Sequence, residues 1–460
     1  MQDLFLEHLS LVNYKNLEAA DYSLNPKINC FVGYNGVGKT NVLDAVYHLA
    51  FGRSYFSSLN NQNISHHADF CMIEGLFQKE NKKIRIQSSF QRDGKKTLKK
   101  NNKLYKKIAD HLGFIPVVII SPTDRDLIAE GSSTRRKFLD SIIGQTYSPY
   151  VQHLIQYQRT LSQRNALLKQ LQSLGHSPVD IPDEKSLLLN LKNQLEKHNN
   201  VTFSENEFKK VVNILNAGSV FERAKTLRGI KHHITKDNGE TLYFDFLNQT
   251  EWCKNQFQVT NQVTIDGKYQ NRYDVTILIN GLPLVQIELK RRGCEMGEAH
   301  RQILRYKSHS FGSGSALFQY VQLFIISNGV NTKYFANNRK QALNFKQTFY
   351  WADEQNNKIT NLSDFAETFL EPCHLSKMIC KYIVLAETDK LLMVLRPYQY
   401  YATEKLIERV KNTNKNGYIW HTTGSGKTLT SFKASQILMH MPEVHKVVFV
   451  VDRRDLDYQT

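Results

Sequence analysis

The sequence predicts an α/β chain of about three domains, and three observations carry that prediction. Twice, at 28–40 and at 418–428, a short apolar run leads into a Gly-rich turn and then into helical periodicity. Between them the runs 272–279 and 284–290 alternate and flank Asn280-Gly281, the pattern of a β-hairpin. The length, 460 residues, allows several cores at roughly 150 residues each.

Taken in order, 28–32 reads as a strand, the following turn as a loop, and Val42, Leu43, Ala45, Val46, Leu49 and Ala50 as a helix ending at Gly52. Segments 70–78 and 83–91 alternate as half-buried strands, the Lys-rich 95–107 reads as a solvated turn region, and 115–121 as a buried strand ending at Pro122. From Thr134 to about Gln172 one long helix is expected; Leu154, Leu161 and Leu168 recur every seven residues, as one buried face or as a coiled coil. The turn-rich stretch 175–183 is the first candidate domain boundary. Helices follow over 184–215, strands over 242–330, a further α/β stretch to about 385, and a last strand, loop and helix over 417–440.

Lys and Arg total 60 against 43 Asp and Glu, a net charge of +17, which suits a polyphosphate partner and equally suits a solubilising surface. The six cysteines include no C-x-x-C pair and no His at zinc-ligand spacing, so they read as buried or incidental thiols in a reducing compartment. No basic, apolar signal opens the chain and no run of 18 apolar residues occurs, so the expectation is a cytoplasmic protein with no membrane contact.

Gly33-Tyr34-Asn35-Gly36-Val37-Gly38-Lys39-Thr40 fits G-x-x-x-x-G-K-[ST] between a predicted strand and a predicted helix. Gly33, Asn35, Gly36 and Gly38 let the backbone wrap phosphate. Lys39 neutralises its oxygens, Thr40 can ligate Mg²⁺, and the helix N-terminus adds favourable partial charge. ATP is the cofactor this implies. With Leu9-Ser10-Leu11-Val12-Asn13-Tyr14-Lys15-Asn16, Gly52-Arg53-Ser54-Tyr55, Pro122-Thr123-Asp124-Arg125-Asp126-Leu127-Ile128, Arg135-Arg136-Lys137-Phe138-Leu139-Asp140 and the run from Tyr157 to Leu168, the first 170 residues resemble the RecF DNA repair ATPases. The resemblance implies an ABC-type ATPase head that dimerises around ATP, binds DNA and works with recombination mediator proteins. No apolar strand here ends in Asp-Glu or Asp-Asp, so ATP is expected to bind and hardly to be hydrolysed.

In the hairpin, parity puts Gln286, Glu288 and Lys290 on one face, and Asp274 with Thr276 on one face of the first strand. A plain two-residue loop would set Asp274 on the apolar side. An effective three-residue loop or a bulge is therefore expected, placing Asp274 across from Glu288 and Val275 across from Ile287. Asp274 and Glu288 can then hold a divalent cation while Lys290 orients or deprotonates water, the chemistry of phosphodiester hydrolysis; a cross-strand ion pair is the plainer alternative. Gln302 and Tyr306, four apart, share a helical face downstream. Together with Asn271-Arg272-Tyr273-Asp274-Val275 and Ile287-Glu288-Leu289-Lys290-Arg291-Arg292-Gly293, they resemble the PD-(D/E)xK nuclease domain of type I restriction enzyme R subunits. That resemblance implies Asp274 and Glu288 as Mg²⁺ ligands, Lys290 as a catalytic residue, Gln302 and Tyr306 as a Q-x-x-x-Y element, DNA as substrate, and modification and specificity subunits as partners.

His421-Thr422-Thr423-Gly424-Ser425-Gly426-Lys427-Thr428 follows Tyr418-Ile419-Trp420, so Gly424, Gly426 and Lys427 read as phosphate ligands and Thr428 as a Mg²⁺ ligand. Arg396-Pro397-Tyr398-Gln399 ahead of it also resembles the R-subunit family. A strand is expected over 447–451, and Asp452-Arg453-Arg454-Asp455-Leu456-Asp457 resembles the helicase motif that touches single-stranded DNA. The expected architecture is an incomplete P-loop ABC-type ATPase head over 1–170, a PD-(D/E)xK nuclease α/β domain over 171–390, and the start of a helicase-like RecA-type α/β motor domain over 391–460. Three readings stay open: a DNA endonuclease of R-subunit type with an incomplete translocase, a RecF-like protein binding ATP and gapped or single-stranded DNA, and a recombined or misassembled reading frame joining the two.

Overall fold

In the computed structural model, which describes residues 4–57, 59–80, 82–92, 94–125, 127, 132–265, 271–309, 317–338, 344–422 and 424–450, the chain forms two units, Met1–Tyr157 and Gln158–Thr460. The division falls within one helix, before the expected junction at 170 and 171.

The first unit is an antiparallel sheet built from β1 (Leu4–Tyr14), β2 (Leu17–Ser23), β3 (Phe70–Lys79), β4 (Lys82–Gln91), β5 (Thr97–Lys100) and β6 (Lys103–Leu104), in the order β2-β1-β3-β4-β5-β6. Period-two alternation buries Ile86, Ser88 and Phe90 of β4 and leaves Lys83 and Arg85 outside. Helix α1 (Lys39–Phe51) packs on the buried face through Val42, Ala45, Leu49 and Ala50 and ends at Gly52, as expected. The helix lies so close to β3 that a Cβ on Gly75 would meet Leu49 Cδ1 at 2.6 Å. The Lys-rich stretch corrects the expectation of a solvated turn. It is the β5–β6 hairpin, turning at Asn101 and Asn102 with φ of +46° and +64°, with Leu98 as its inward anchor. One inward apolar residue among lysines gave too little periodicity to read.

The expected long helix is two, α2 (Ser132–Thr146) and α3 (Ser148–Ser173), broken at Tyr147. Pro149 lacks an N–H, which an unbroken helix would need there and a first turn does not. The buried residues of its C-terminal half are Leu167 and Leu171, so the seven-residue leucine repeat marks no buried seam.

A second correction recurs four times. The expected strands 28–32, 115–121, 418–420 and 447–451 join no ladder among the described residues, and Val32, Ile120 and Trp420 are 92%, 86% and 88% exposed. Residue 451 and the stretch 452–457 lie outside the described residues, as do Asp126, Ile128 and Thr423. An apolar run becomes a regular buried strand only when neighbours supply ladder hydrogen bonds as well as cover; Ile115 is buried and Phe31, Val117 and Ile119 pack against the core, but no described segment pairs with these runs.

The second unit is built on a mixed sheet of β7 (Ser177–Pro178), β8 (Phe257–Asn261), β9 (Val275–Ile279), β10 (Leu282–Leu289), β11 (Leu323–Ser327) and β12 (Thr332–Ala336), in the order β12-β11-β10-β9-β8-β7. Every residue of β9 and β10 is buried. The turn-rich stretch 175–183 supplies β7, which runs parallel to β8. Helices α4 (Glu184–Asn199), α5 (Glu205–Asn216) and α6 (Val220–Leu227) follow; Ser204 with Glu207 and Ser219 with Glu222 form capping boxes on the last two. Further along lie α7 (Met296–His309), α8 (Pro397–Asn412) and α9 (Lys427–Leu438). Cys253 and Cys373, 120 residues apart, are joined in a disulfide, which corrects the reading of six free thiols; Cys30 is exposed and Cys71 buried. Such a pair leaves no local spacing to read. Among the described residues no helix is long and apolar enough to cross a membrane.

Candidate active site

The β9–β10 hairpin turns at Asn280 (φ +50°) and Gly281 (φ +82°), and Ile279 pairs with Leu282 as a two-residue loop requires. Next Leu278 pairs with Pro283, and the register then shifts so that Ile277 pairs with Val285, Thr276 with Gln286 and Val275 with Ile287. Leu284 is the extra residue of a bulge, which reverses side-chain parity beyond it. The expected pairing of Val275 with Ile287 is thus met by the bulge, with the short turn retained. The same register carried one residue further sets Asp274 across from Glu288, and Asp274 Oδ2 accepts a hydrogen bond from Leu289 N at 2.9 Å.

The strand's polar row is not a solvent face. Thr276, Gln286 and Glu288 are wholly buried, and Thr276 Oγ1 donates to Gln286 Oε1 at 2.8 Å. Lys290 Nζ donates to Glu288 Oε1 at 2.7 Å and also to Gln302 Oε1 on α7. Gln302 Nε2 in turn donates to the Tyr306 hydroxyl, which donates to Arg272 O at 3.2 Å. Lys290 N donates to Ser327 O at 2.7 Å, fixing the strand end that carries the amine. The structure therefore brings Glu288, Lys290, Gln302 and Tyr306 into one hydrogen-bonded chain with Asp274 beside it.

Burial, and then the charge of Asp274, push the Glu288 carboxyl up to about 8. Burial likewise raises Asp274, opposed by the Leu289 N–H, Lys290 and Arg164. Burial and the Glu288 charge raise the Tyr306 phenol, so it stays a donor. Two facing carboxylates in a dry site are held apart in energy by their own repulsion. Mg²⁺ fits these residues. The donors are hard oxygens, and Glu288 Oε2 is buried with no hydrogen-bond partner among the described residues. No group of three or more His, Cys, Asp or Glu gathers among the described residues, so the protein offers two carboxylates and leaves further ligand positions to water or phosphate oxygens.

Two neighbours of this site escaped sequence reasoning. The Gln163 amide on α3, oriented by its partners, donates to Lys290 O at 3.2 Å and accepts from Gly329 N at 3.0 Å. Arg164 beside it has a buried, unpartnered Nε and sets positive charge near Asp274. Both sit in the run that carries the RecF resemblance, where no spacing ties them to the hairpin, and only the fold brings them to the strand.

In the first phosphate loop Gly36 and Gly38 take φ of +86° and +104°, and Lys39 Nζ donates to Gly33 O at 2.8 Å and Tyr34 O at 2.7 Å. Asn35 and Thr40 are exposed. Asn16 Nδ2 holds Gly36 O at 2.7 Å. On the buried face of α1 the sequence reading missed Asp44, whose carboxylate accepts from Tyr14, Lys15, Ser54 and Tyr55 N. Burial would raise that carboxyl; these four donors overcome it and hold it below the usual range. In the second loop Gly424 and Gly426 take φ of +75° and +80°, and Lys427 and Thr428 open α9. Tyr398 OH donates to Ser425 O at 2.8 Å, and Gln399 Nε2 to Ser425 O at 3.2 Å, so Arg396-Pro397-Tyr398-Gln399 braces the loop beside a cavity of about 280 Å³.

Comparison with known proteins divides along the same lines. Residues 159–343 match the profile of the type I restriction enzyme R protein N terminus, 398–460 that of the SWI2/SNF2 ATPase, and 5–124 that of the RecF/RecN/SMC N terminal domain. A type I restriction enzyme endonuclease subunit of Staphylococcus aureus (strain COL) is 50% identical over 309 residues, 66% of this chain and 33% of that protein. The EcoprrI endonuclease subunit of Escherichia coli is 37% identical over 278 residues, 59% of this chain and 88% of that protein. The DNA replication and repair protein RecF of Flavobacterium johnsoniae is 55% identical over 174 residues, 38% of this chain and 48% of that protein. The chain belongs to the family of type I restriction enzyme endonuclease subunits, and its first 170 or so residues are RecF-like. It spans about a third of the length of the staphylococcal relatives.

Proposed function

We propose that the second unit carries a Mg²⁺-dependent endonuclease centre of R-subunit type, with Asp274 and Glu288 as metal ligands and Lys290 as the catalytic amine. The observation that carries this reading is the Glu288–Lys290–Gln302–Tyr306 chain beside Asp274, with one Glu288 oxygen buried and unpartnered. A bound cation would neutralise the facing carboxylates and stabilise charge building on the phosphate oxygens. Asp274 and Glu288 would hold the cation, and its charge would favour the ionised form of Glu288. Lys290, steadied by Glu288 and Gln302, is held with its ammonium toward the two carboxylates, where it orients water. Tyr306 keeps Gln302 in line, and the buried strand keeps bulk water from the carboxylates.

On this reading 171–390 is the endonuclease domain and 391–460 the start of the motor. Lys39 and Lys427 hold ATP phosphates, with Thr40 and Thr428 as their Mg²⁺ ligands, and the protein works on DNA with modification and specificity subunits. Supercoiled plasmid should be nicked in Mg²⁺. Glu288→Ala and Lys290→Ala should each slow nicking by about 10²–10³-fold, the scale on which a preorganised charge acts. Cleavage surviving both changes overturns the reading.

A second reading rests on the 55% identity to RecF: 1–170 is an ATP- and DNA-binding repair region meeting recombination mediator proteins. Lys39→Ala should then abolish nucleotide binding by the first unit, while Glu288→Ala leaves that binding intact.

A further inference from the structure

Lys290 stands one residue beyond β10, just past the last pair of the parallel ladder with β11, Leu289 with Ser327. Its N–H donates to Ser327 O at 2.7 Å. In a continued parallel ladder the next bond would run from Gly329 N to Lys290 O. Gly329 turns instead at φ +86°, and the Gln163 amide of α3 takes the place of that bond, donating to Lys290 O at 3.2 Å and accepting from Gly329 N at 3.0 Å. The orientation of the amide is forced, because a carbonyl can only accept and an N–H only donate. Gly329 N also reaches Ser327 Oγ at 3.0 Å, and a Cβ on Gly329 would meet the Gln163 amide at 3.2 Å, so the three groups are closely fitted.

Gln163 belongs to the second unit, although the run from Tyr157 to Leu168 carries the RecF resemblance. Directly after Lys290 the chain enters Arg291-Arg292-Gly293, all exposed, with Gly293 at φ +89°. Gln163 thus gives the Lys290 main chain a second anchor at the point where the sheet hands over to a loop. The ammonium reaches Glu288 Oε1 at 2.7 Å and Gln302 Oε1 on a flexible four-carbon stem, so its aim depends on how firmly the Cα beneath it is held.

We propose that Gln163 is a positioning residue of the endonuclease centre and acts through Lys290, fixing the strand end so that the ammonium stays turned toward Asp274 and Glu288. This rests on the reading of those three residues as the nuclease centre. It gives the RecF-like helix a part in nuclease chemistry and requires no contact of Gln163 with DNA or nucleotide.

The test follows nicking of supercoiled plasmid by the full chain in Mg²⁺. Gln163→Glu keeps the length and the bond from Gly329 N but sets a carboxylate oxygen against Lys290 O. Gln163→Met keeps the length and loses both bonds. Each is made alone and together with Lys290→Ala, which leaves the main chain at 290 in place. Alone, each should lower kcat about 10-fold or more, with KM for plasmid and the half-saturating Mg²⁺ changed less than about twofold, because a misaimed amine slows reaction and leaves binding intact. With Lys290→Ala present, neither should lower the residual rate further, because the amine through which Gln163 acts is gone. A merely structural Gln163 would lower the rate in both backgrounds alike, and that result overturns the proposal. An unchanged kcat in both variants, while Glu288→Ala still stops nicking, overturns the proposal alone and leaves the nuclease reading standing. A wild type that does not nick, or nicking that survives both Glu288→Ala and Lys290→Ala, overturns that reading, and the proposal falls with it. Thermal unfolding of the variants should match wild type; where Gln163→Glu melts early, Gln163→Met is read in its place, in the same two backgrounds.

Discussion

Lys433 is a residue whose chemistry the fold has bent without giving it, among the described residues, a partner of opposite charge. It lies buried on α9, its Nζ donating to Ile383 O at 3.3 Å and Gln436 Oε1 at 2.8 Å. Burial, followed by the charges of Arg228 and Lys381, lowers it to about 7. The unfolded chain therefore binds this proton more tightly than the folded one. Its burden on stability is full below about 7, where folding must bury a charged amine, and fades as pH rises toward the unfolded value near 10.5. The difference in stability between wild type and Lys433→Met should thus be largest at pH 6 and shrink steadily toward pH 10, with the variant the more stable at pH 6. Urea titrations at fixed pH values read this directly, and a difference independent of pH would mean that Lys433 stays charged in the fold. Nothing in the sequence marks Lys433, because burial is a property of the fold. Glu288 was legible for a different reason: its parity with Lys290 and the Asn-Gly turn are local, and the chemistry follows from them.

At the scale of elements, the β9–β10 hairpin shows why parity could be read and its mechanism could not. Apolar and polar residues alternate on both strands, so only a one-residue offset puts Asp274 across from Glu288, whatever device supplies it. The device is a bulge at Leu284, which is no different in type from its neighbours. The turn is constrained twice, since Gly281 has φ +82° and a Cβ there would come within 2.7 Å of Leu191 Cα on α4. Gly281→Ala should cost about 2 kcal/mol or more, through a left-handed backbone and a forced shift of α4. Chemical denaturation should show that loss; a change under about 0.5 kcal/mol would mean that α4 moves freely aside. The Lys-rich β5–β6 hairpin and the break at Tyr147 were less legible, for one reason. In each, a single local feature, Leu98 inward or Pro149 in a first turn, outweighs the surrounding pattern.

At the scale of the molecule, four apolar runs were read as strands, 115–121 as a buried one, and none is paired among the described residues. Composition reports what a segment would bury and is silent on whether a neighbour exists to cover it. Val32, Ile120 and Trp420, at 92%, 86% and 88% exposed, are therefore surface residues with strand character, and such edges recruit other chains. The chain should self-associate as its concentration rises. A variant combining Val32→Lys, Ile120→Lys and Trp420→Lys should sediment as a smaller species at the same concentration, with its thermal midpoint unchanged, because these side chains bury almost nothing and surface changes of this kind usually stay within about 0.5 kcal/mol. The two readouts separate two physical cases. Reduced association at constant midpoint means that the runs are free edges whose only partners are other molecules. A midpoint several degrees lower means that they are covered in the folded chain after all. Lysine is the informative choice for this purpose, because an exposed edge accepts it at little cost and a covered strand must bury its charge.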